Sequence, residues 1–576
     1  MKQRYNWKIL NCPDEFSQQV LVDDLNIHPS LAKILILRNI DSYRKAKQFF
    51  KGTLDDLYDP FLLIGMRDAV KRIIKALTEN EKIMIYGDYD VDGTNAAAML
   101  YLFLTEIGGN VQIYIPNRLK EGYGISQSGI DEAIQNGTKL IISVDCGITA
   151  VEETEYAKNH GIDVIICDHH EPGEFIPRAI AVLDPLKPGC PYPYKYLSGA
   201  GVTFKLIQAI SSSIGSKDLP YKYLDFVAVA SAADIVPLTD ENRILVKYGL
   251  EKLNTDPRPG FKALIEKAGL KPGKITSSHI VFGLAPRINA VGRLGDANRA
   301  IQLLLSKDYE EALHYAEILD KENRNRREID EEILNEAIQK VENEINLDEE
   351  IAIILHKEDW HLGVIGIVAS RLVEKFYRPS ILLTNVDGIL KGSARSIADF
   401  NLYEALKECE DVLLQFGGHK AAAGLSIHYE KVDEFKRRFN EIAKMRLTPE
   451  QLIPTIEIEA IIELNTITPK FRRILERFAP FGPQNMKPIF LTEKVEIFDK
   501  PRISGNNHIF MKIRKNGSPV FDVVGYNLGE YAQDLLDLNG TIKNTYIDIV
   551  YTIESTTIND MVFPLLNLKD FRISQK

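Results

Sequence analysis

The sequence predicts an α/β architecture: a doubly wound parallel-sheet lobe, a long helical connector, a smaller α/β lobe and a C-terminal all-β barrel or sandwich. Three patterns carry this reading. Between Lys82 and Pro185, short apolar runs alternate with helix-forming segments, as in a parallel sheet covered on both faces. Residues 307–345 are highly charged, free of proline and glycine, and apolar at helical spacing (Leu313, Ile318, Leu319, Ile329, Ile333, Leu334, Ile338, Val341, Ile345). From about Glu457 the runs become short and alternating, with a KNGS turn at 515–518 that marks a hairpin. A chain of 576 residues holds three or four domains at roughly 150 residues each. We place the boundaries at 1–75 (N-terminal segment), 76–305 (first lobe), 306–348 (connector), 349–450 (second lobe) and 451–576 (β domain).

Residues 1–75 mix helical pattern with loop signals and carry no recognisable chemistry. KIMIYG (82–87) is the first strand, TNAAAMLYLFLTEIG (94–108) a helix and GNVQIYIP (109–116) the next strand. SQSGIDEAIQNG (126–137) is a helix closed by glycine, and TKLIISVD (138–145) a strand. ITAVEETEYAKNHG (148–161) is a second helix with a glycine stop, followed by the strands IDVIICD (162–168) and AIAVLDP (179–185). Residues 190–310 are largely helical, broken by Gly/Pro-rich loops. EEIAIILH (349–356) opens the second α/β region, which ends near Arg446. HIFMKIR and PVFDVVGY flank the NG turn, and TYIDIVYTIES follows.

Composition narrows the class. Hydrophobic residues at 45% and charged residues at 26% exclude a disordered or fibrous chain. No apolar run of ~18 residues exists, so no membrane helix is expected, and the polar start MKQRYNWKIL has no secretory h-region. Five scattered cysteines without C-x-x-C argue against a disulfide framework and for the reducing cytoplasm. With 70 basic against 81 acidic residues, the formal charge of −11 disfavours indiscriminate adhesion to DNA. It leaves room for a local basic groove or an acidic metal site.

Acidic residues fall at strand ends. GDYDVDG (87–93) sets Asp88, Asp90 and Asp92 at alternate positions after the first strand, Asp145 ends LIISV, and Asp168, His169 and His170 end DVIIC. Ligands of open parallel sheets bind outside the carboxyl ends of the strands. Carboxylates crowded there repel one another unless protons or cations compensate. Mixed oxygen and nitrogen donors suit manganese, magnesium or zinc, and two ions would serve phosphoester hydrolysis. Taken singly, the features are weak. D-x-D-x-D also opens an EF-hand loop, but loop position twelve is Met99. Asp145 alone reads as a cap, and Asp-His-His as a cap beside a hydrogen-bonded histidine. Three consecutive strand ends delivering them together points to metal.

At these motifs the chain resembles the DHH phosphoesterase superfamily, and within it the RecJ-type single-strand-specific exonucleases. GDYDVDGTNAAAML is similar to the first motif, SVDCGI to the second, CDHHEPG to the third, ASAADIVPL (230–238) to the fourth, and GGHKAAAG (417–424) to the DHHA1 motif. Tyr86 stands where other branches carry histidine, and Asp88 is present instead, as in the RecJ branch. The resemblance implies metal ligands Asp90, Asp92, Asp145, His169 and Asp234, with Asp88 close by and Asp145 the bridging carboxylate. It gives His170 to the scissile phosphate or the leaving oxygen, so that Asp88, Asp145 and His170 form the catalytic set. It also implies two divalent ions, Mn2+ ahead of Mg2+, and a DHH lobe, a DHHA1 lobe and an OB-like barrel.

Several residues are expected to meet DNA. Arg118 follows the strand QIYI and can fork onto phosphate. Arg287 and Arg293 lie beside turn-forming glycines. Ser393 and Arg395 alternate on one strand face, and Gly417, Gly418 and His419 suit close backbone approach to a nucleotide. In the family such residues resemble a terminal 5′-phosphate pocket, which would set polarity. Of Phe481, Phe510, Phe521 and Tyr526, one or two are expected to stack bases and the rest to be core. Met486 departs from the family's proline. Cys146 and Cys167 are expected to pack, and His356 with His361 makes only a weak metal pair.

The function expected is a metal-dependent 5′→3′ exonuclease that hydrolyses single-stranded DNA to 5′-mononucleotides in repair and recombination. It would be a cytoplasmic monomer without membrane contact, with a helicase and a single-strand-binding protein as candidate partners. Two other readings stand beside it. One is a DHH–DHHA1 phosphodiesterase on short oligoribonucleotides or cyclic dinucleotides, which residues 457–576 count against. The other is a non-catalytic replication scaffold, which the full ligand set counts against.

Overall fold

A computed structural model of the protein describes residues 4–294, 296–505, 507–536, 546–558 and 561–574. It divides into two units, Ile9–Asp320 with Glu457–Lys576, and Met1–Lys8 with Lys321–Ile456. The predicted connector is one helix, Tyr309–Glu344, and the division falls within it.

A short strand, β1 (Asn6–Ile9), precedes the helices Glu15–Leu25, Pro29–Leu37, Tyr43–Lys51 and Met66–Thr78. The first lobe's sheet then comprises β2 (Lys82–Gly87), β3 (Asn110–Tyr114), β4 (Leu140–Val144), β5 (Asp163–Cys167) and β6 (Ala181–Leu183). All pairings are parallel, in the order β3-β2-β4-β5-β6. Side chains alternate between two apolar layers, which is why these strands read as continuous apolar runs. Ile83, Ile85, Ile142, Val144 and Ile165 enter one core with the helix Val91–Glu106. Met84, Tyr86, Ile141, Val164 and Ile166 enter the other with Ile130 and Ala157. The chain reverses its direction across the sheet between β2 and β4, opening a crevice at their carboxyl ends.

In the second unit, β7 (Ile353–His356), β8 (Ser380–Val386), β9 (Ile389–Arg395), β10 (Gln415–Gly418) and β11 (Ala422–Ile427) form a sheet in the order β10-β11-β9-β8-β7. β12 (Thr455–Ile458) pairs with β1. The C-terminal strands are β13 (Ala460–Ile461), β14 (Phe490–Ser504), β15 (His508–Arg514), β16 (Phe521–Gly525), β17 (Tyr546–Ile558) and β18 (Met561–Ile573). Their order is β13-β14-β15-β16-β18-β17, and a further β14–β17 pairing closes a barrel, so the barrel alternative holds over the sandwich. The predicted NG turn joins β15 to β16, with Gly517 at φ +76. Residues 1–75 are less inert than their sequence suggests. Leu21, Leu31, Ile34, Leu35 and Ala46 share one core with Phe471 of the helix Pro469–Glu476 and with the barrel residues Phe490, Ile509 and Tyr551. Among the described residues no helix is long and apolar enough to cross a membrane.

Arg243 ties three segments of the first unit together. Its guanidinium donates to the carbonyls of Phe49 (2.9 Å), Phe478 (2.7 Å), Arg477 (3.0 Å) and Ala479 (2.9 Å). Burial, and then the charge of Arg38, pull its pKa down to about 9, which leaves it charged at neutral pH. Replacing it strands several buried carbonyl oxygens, each costing about 1–3 kcal/mol. Arg243→Met is therefore expected to lower the stability of this unit by about 3 kcal/mol in urea unfolding. A loss under about 0.5 kcal/mol would mean that solvent satisfies those carbonyls instead.

Candidate metal centre

The centre is assembled at the crevice of the parallel sheet. β2 ends at Gly87 and the chain turns directly into the helix Val91–Glu106, which Asp90 caps by accepting the Gly93 N–H at 3.0 Å. A side chain at position 93 would place its Cβ 2.6 Å from the backbone N and O of Asp88, so only glycine lets the helix start this tightly. Asp92 lies in the first turn, buried, and accepts the N–H groups of Gly199 (2.6 Å) and Ala200 (2.8 Å). These open the helix Gly199–Ser213, whose N-terminus is a natural seat for a carboxylate. Asp145 follows β4 at φ +63, in the left-handed region. A Cβ on Gly199 would sit 2.6 Å from its Oδ1, so that glycine fixes where Asp145 can lie. His169 and His170 follow β5, and Asp234 caps the C-terminus of the helix Leu224–Ala233.

These side chains converge. His169 Nε2 is 3.1 Å from Asp145 Oδ1, 3.6 Å from Asp234 Oδ2 and 3.8 Å from Asp92 Oδ2. Three overlapping sets place their donor atoms within 4.8 Å of one another: Asp88–Asp90–Asp145, Asp92–His169–Asp234 and Asp145–His169–His170. Asp145 belongs to two of them. Asp88 Oδ1, Asp145 Oδ1 and His169 Nε2 are buried without a hydrogen-bond partner. An unmet polar atom in the interior is costly, and a shared cation would satisfy all three.

The electrostatics agree. Burial, reinforced by neighbouring carboxylates, holds the Asp88, Asp145 and Asp234 carboxyls well above their ordinary range and lifts Asp92 to about 7. Burial also pulls His169 down to about 4, leaving a neutral imidazole with a free lone pair. The donor set, carboxylate oxygens plus the neutral His169 imidazole, fits a divalent ion of the manganese or magnesium type.

Two residues missing from the sequence-derived site set complete the geometry. Asp168 is buried and accepts the Ile148 N–H (2.8 Å), its neighbour His169 N–H (2.7 Å) and His170 Nδ1 (2.7 Å). Burial alone would depress His170, but the Asp168 hydrogen bond and charge outweigh it and raise His170 to about 9. The Tyr123 hydroxyl lies 3.1 and 3.3 Å from the two ring nitrogens of His170 and 3.3 Å from the Asp145 carbonyl. Tyr123 sits in the EGYG segment beside Arg118, but nothing in that pattern announces a histidine partner 47 residues away.

The expected phosphate contacts divide into groups. The Arg118 guanidinium lies 5.1 Å over the Tyr89 ring, and Arg118 and Arg293 both act on Tyr89 electrostatically. Tyr89 itself stands between Asp88 and Asp90, so both arginines border the acids. Arg287 is different. It is buried and bonded to Asp320 (2.9 Å) and the Gly283 carbonyl (2.7 Å), which makes it a packing clamp and not an open phosphate contact. Burial was the property its loop-like pattern did not reveal.

In the second unit, Ser393 and Arg395 lie on β9, with Arg395 Nη1 3.0 Å from Ser393 Oγ. The register aligns Ser393 with Gly424 on β11 and Gly424 with Gly417 on β10, leaving a strip of backbone without side chains. Gly366, in the helix Leu362–Phe376, permits the close approach to this pair: a Cβ there would be 2.8 Å from Ser393 Oγ. Gly418 has φ +144, and His419 turns back onto Ala422 through its N–H at 2.8 Å. His361 caps the same helix through the Gly363 N–H, while His356 meets Tyr429 edge-on. Cys146 and Cys167 are buried with thiols pushed up by burial, as packing residues. Of the four aromatics, Phe521 is core and Phe481 packs against the barrel core, whereas Phe510 and Tyr526 are 42% and 51% exposed.

Comparison with known proteins gives three family matches: the DHH family N-terminal domain over residues 82–231, the DHHA1 domain over 348–445 and the RecJ OB domain over 458–570. The single-stranded-DNA-specific exonuclease RecJ of Bacillus subtilis is 41% identical over 579 residues, covering 100% of this chain and 72% of the relative. The RecJ of Escherichia coli is 33% identical, covering 87% and 89%. The crystal structure of Thermus thermophilus RecJ with Mn2+ superposes with a TM-score of 0.84 at 29% identity, covering 100% of this chain and 81% of that one.

Because the Asp92 carboxyl is raised to about 7, it binds more protons folded than unfolded between about pH 4 and about 7, and Asp88, Asp145 and Asp234 are shifted in the same direction. In chelated protein their contribution to stability is therefore greatest at low pH and falls as pH rises through that window. Manganese at about 100 times its dissociation constant should restore about 2.7 kcal/mol. The check is thermal unfolding at about pH 5 and pH 8, with chelator or with manganese. Asp145→Asn should raise the chelated midpoint at pH 8 and abolish the manganese response.

Proposed function

The chain belongs to the RecJ family of single-stranded-DNA-specific exonucleases, and from that premise we propose that it hydrolyses single-stranded DNA from the 5′ end to 5′-mononucleotides, with two divalent ions, manganese ahead of magnesium. The observation that carries this reading is the set of buried, partnerless donor atoms, Asp88 Oδ1, Asp145 Oδ1 and His169 Nε2, at three strand ends of one crevice. Asp90, Asp92, Asp145, His169 and Asp234 would hold the ions, with Asp88 beside them. Such ions, when bound, acidify a water and neutralise charge on the phosphoryl oxygens.

The chain's own residues do the rest. Asp92, pinned by two amides, and Asp145, pinned by Gly199, keep the donor atoms from relaxing apart. His170, held protonated by Asp168, presents a charged N–H where a phosphate oxygen or a leaving 3′-oxygen gathers charge. The Tyr123 hydroxyl steadies that ring. Arg118 and Arg293 supply cations at the rim. Ser393 and Arg395, beside a strip of glycine backbone, offer a hydroxyl, a guanidinium and bare backbone for a terminal phosphate. The barrel favours a polymer over a cyclic dinucleotide, since Phe510 and Tyr526 are open to bases.

The decisive assay is degradation of single strands labelled at either end, as DNA or RNA, with manganese or chelator. Mononucleotides released first from the 5′ end, and none with chelator, are expected; release from the 3′ end would overturn the reading. Asp145→Ala should reduce cleavage by about a thousandfold or more while oligonucleotide affinity in gel shift changes little. Arg395→Ala should cut the preference for a 5′-phosphorylated over a 5′-hydroxyl end by about tenfold, read as a ratio of kcat/KM values.

A further inference from the structure

The chain leaves the helix Leu224–Ala233 at Asp234, and the next residue, Ile235, has φ +60. Among the described residues twelve non-glycine positions have positive φ, and eight of them are asparagine or aspartate, whose short polar side chains suit that region. Ile235 is the one β-branched residue of the twelve. A branched side chain is most crowded by its own backbone there, so the conformation is strained. The flanking contacts show what enforces it. On one side the Asp234 N–H donates to the Ala230 carbonyl at 2.9 Å, and the Asp234 carboxylate lies 3.6 Å from His169 Nε2. On the other, the Pro237 carbonyl accepts the Tyr194 hydroxyl (2.9 Å) and Asn242 Nδ2 (3.0 Å), and the Leu238 N–H donates to the Pro483 carbonyl at 2.9 Å. With both ends fixed, residue 235 has to take the turn, which glycine would make without strain.

Packing does not call for isoleucine either. Its side chain is 62% exposed, whereas Val236 and Leu238 beyond it are buried. An extended backbone and a core, the two settings that suit isoleucine, are both missing. What is left is its surface: apolar, without donor or acceptor, stiff about its first torsion and set on a clamped backbone. That surface begins one residue, about 3.8 Å along the chain, from Asp234, which shares a donor set with Asp92 and His169. If ions on that set grip a phosphodiester of single-stranded DNA, as proposed above, the nucleosides on either side of the phosphate must lie against the centre's immediate surroundings. The acids, histidines and arginines there suit the phosphate and the ions. Ile235 instead offers a face on which a base can shed water, and it reads no base edge. An exonuclease that removes every base in turn needs such an indifferent contact.

We propose that Ile235 is a substrate-binding residue whose side chain packs against the base of a nucleotide flanking the scissile phosphodiester and keeps that bond in place over the ions, whichever base it is. The inference rests on the exonuclease reading. Its test uses the full chain with manganese and two oligo-dT strands of about 20 nucleotides, one unmodified and one whose two 5′-terminal nucleotides are base-free tetrahydrofuran residues. The wild-type chain should cleave the base-free end about tenfold less efficiently in kcat/KM. Ile235→Gly should lose about tenfold on the unmodified strand and then treat the two strands alike within about twofold, since the contact is already gone. Ile235→Val, still branched and apolar, should stay within about threefold of wild type. Because glycine relaxes the turn, Ile235→Gly should melt no lower than wild type and keep its manganese-induced rise in melting temperature. A wild-type chain indifferent to the missing bases, or a glycine variant within about twofold of wild type on the unmodified strand, would overturn the inference alone. So would a glycine variant that still discriminates between the strands as wild type does, or that loses its manganese response, since residue 235 would then only be placing Asp234. No cleavage of the unmodified strand by the wild-type chain would overturn the exonuclease reading, and this inference with it.

Discussion

Like charges forced together in a dry crevice are the constraint from which the rest of the first unit follows. At about 4 Å, two carboxylates repel by about 4 kcal/mol even at an effective dielectric of 20, and this centre gathers five around two histidines. Left to themselves the side chains would swing apart or take up protons. The fold prevents the first by occupying the alternatives. Two amides at a helix N-terminus grip Asp92, a left-handed backbone aims Asp145, and Gly93 and Gly199 close the remaining space with backbone. Each is a local device with a cost of its own. Together they store electrostatic strain that protons relieve at low pH and that a divalent cation would relieve at neutral pH.

The same constraint explains which residues could be read from sequence. Strand ends were legible because apolar runs of five residues bounded by acids have one reading in a parallel sheet, and β2, β4 and β5 fall within one or two residues of the expected runs. The convergence of Asp88, Asp90, Asp92, Asp145, His169 and Asp234 was legible because side chains at the carboxyl ends of adjacent parallel strands open into one crevice. Burial was not legible. Arg287 and Arg293 share one short segment, yet the first is clamped by Asp320 and only the second lies among the groups that bear on Tyr89. Asp168 reads as a ligand no less than Asp145 does, and only its hydrogen bonds to Ile148 and His170 show that it acts through the histidine. Tyr123 and Gly199 were hidden for a simpler reason: their partners lie 47 and 54 residues away, and no periodicity encodes such a contact.

The N-terminal 75 residues show how an apparently featureless stretch acquires a role from packing. Pro29–Leu37 is buried almost throughout against the barrel core, whereas Tyr43–Lys51 buries one face and Met66–Thr78 packs into the core of the first lobe. Arg243 then fixes the turn between them and the barrel by saturating backbone carbonyls without a carboxylate, so its charge stays uncompensated within the core. A charge of that kind specifies one arrangement: a shift of any of the three segments would leave either the guanidinium or the carbonyls unmet.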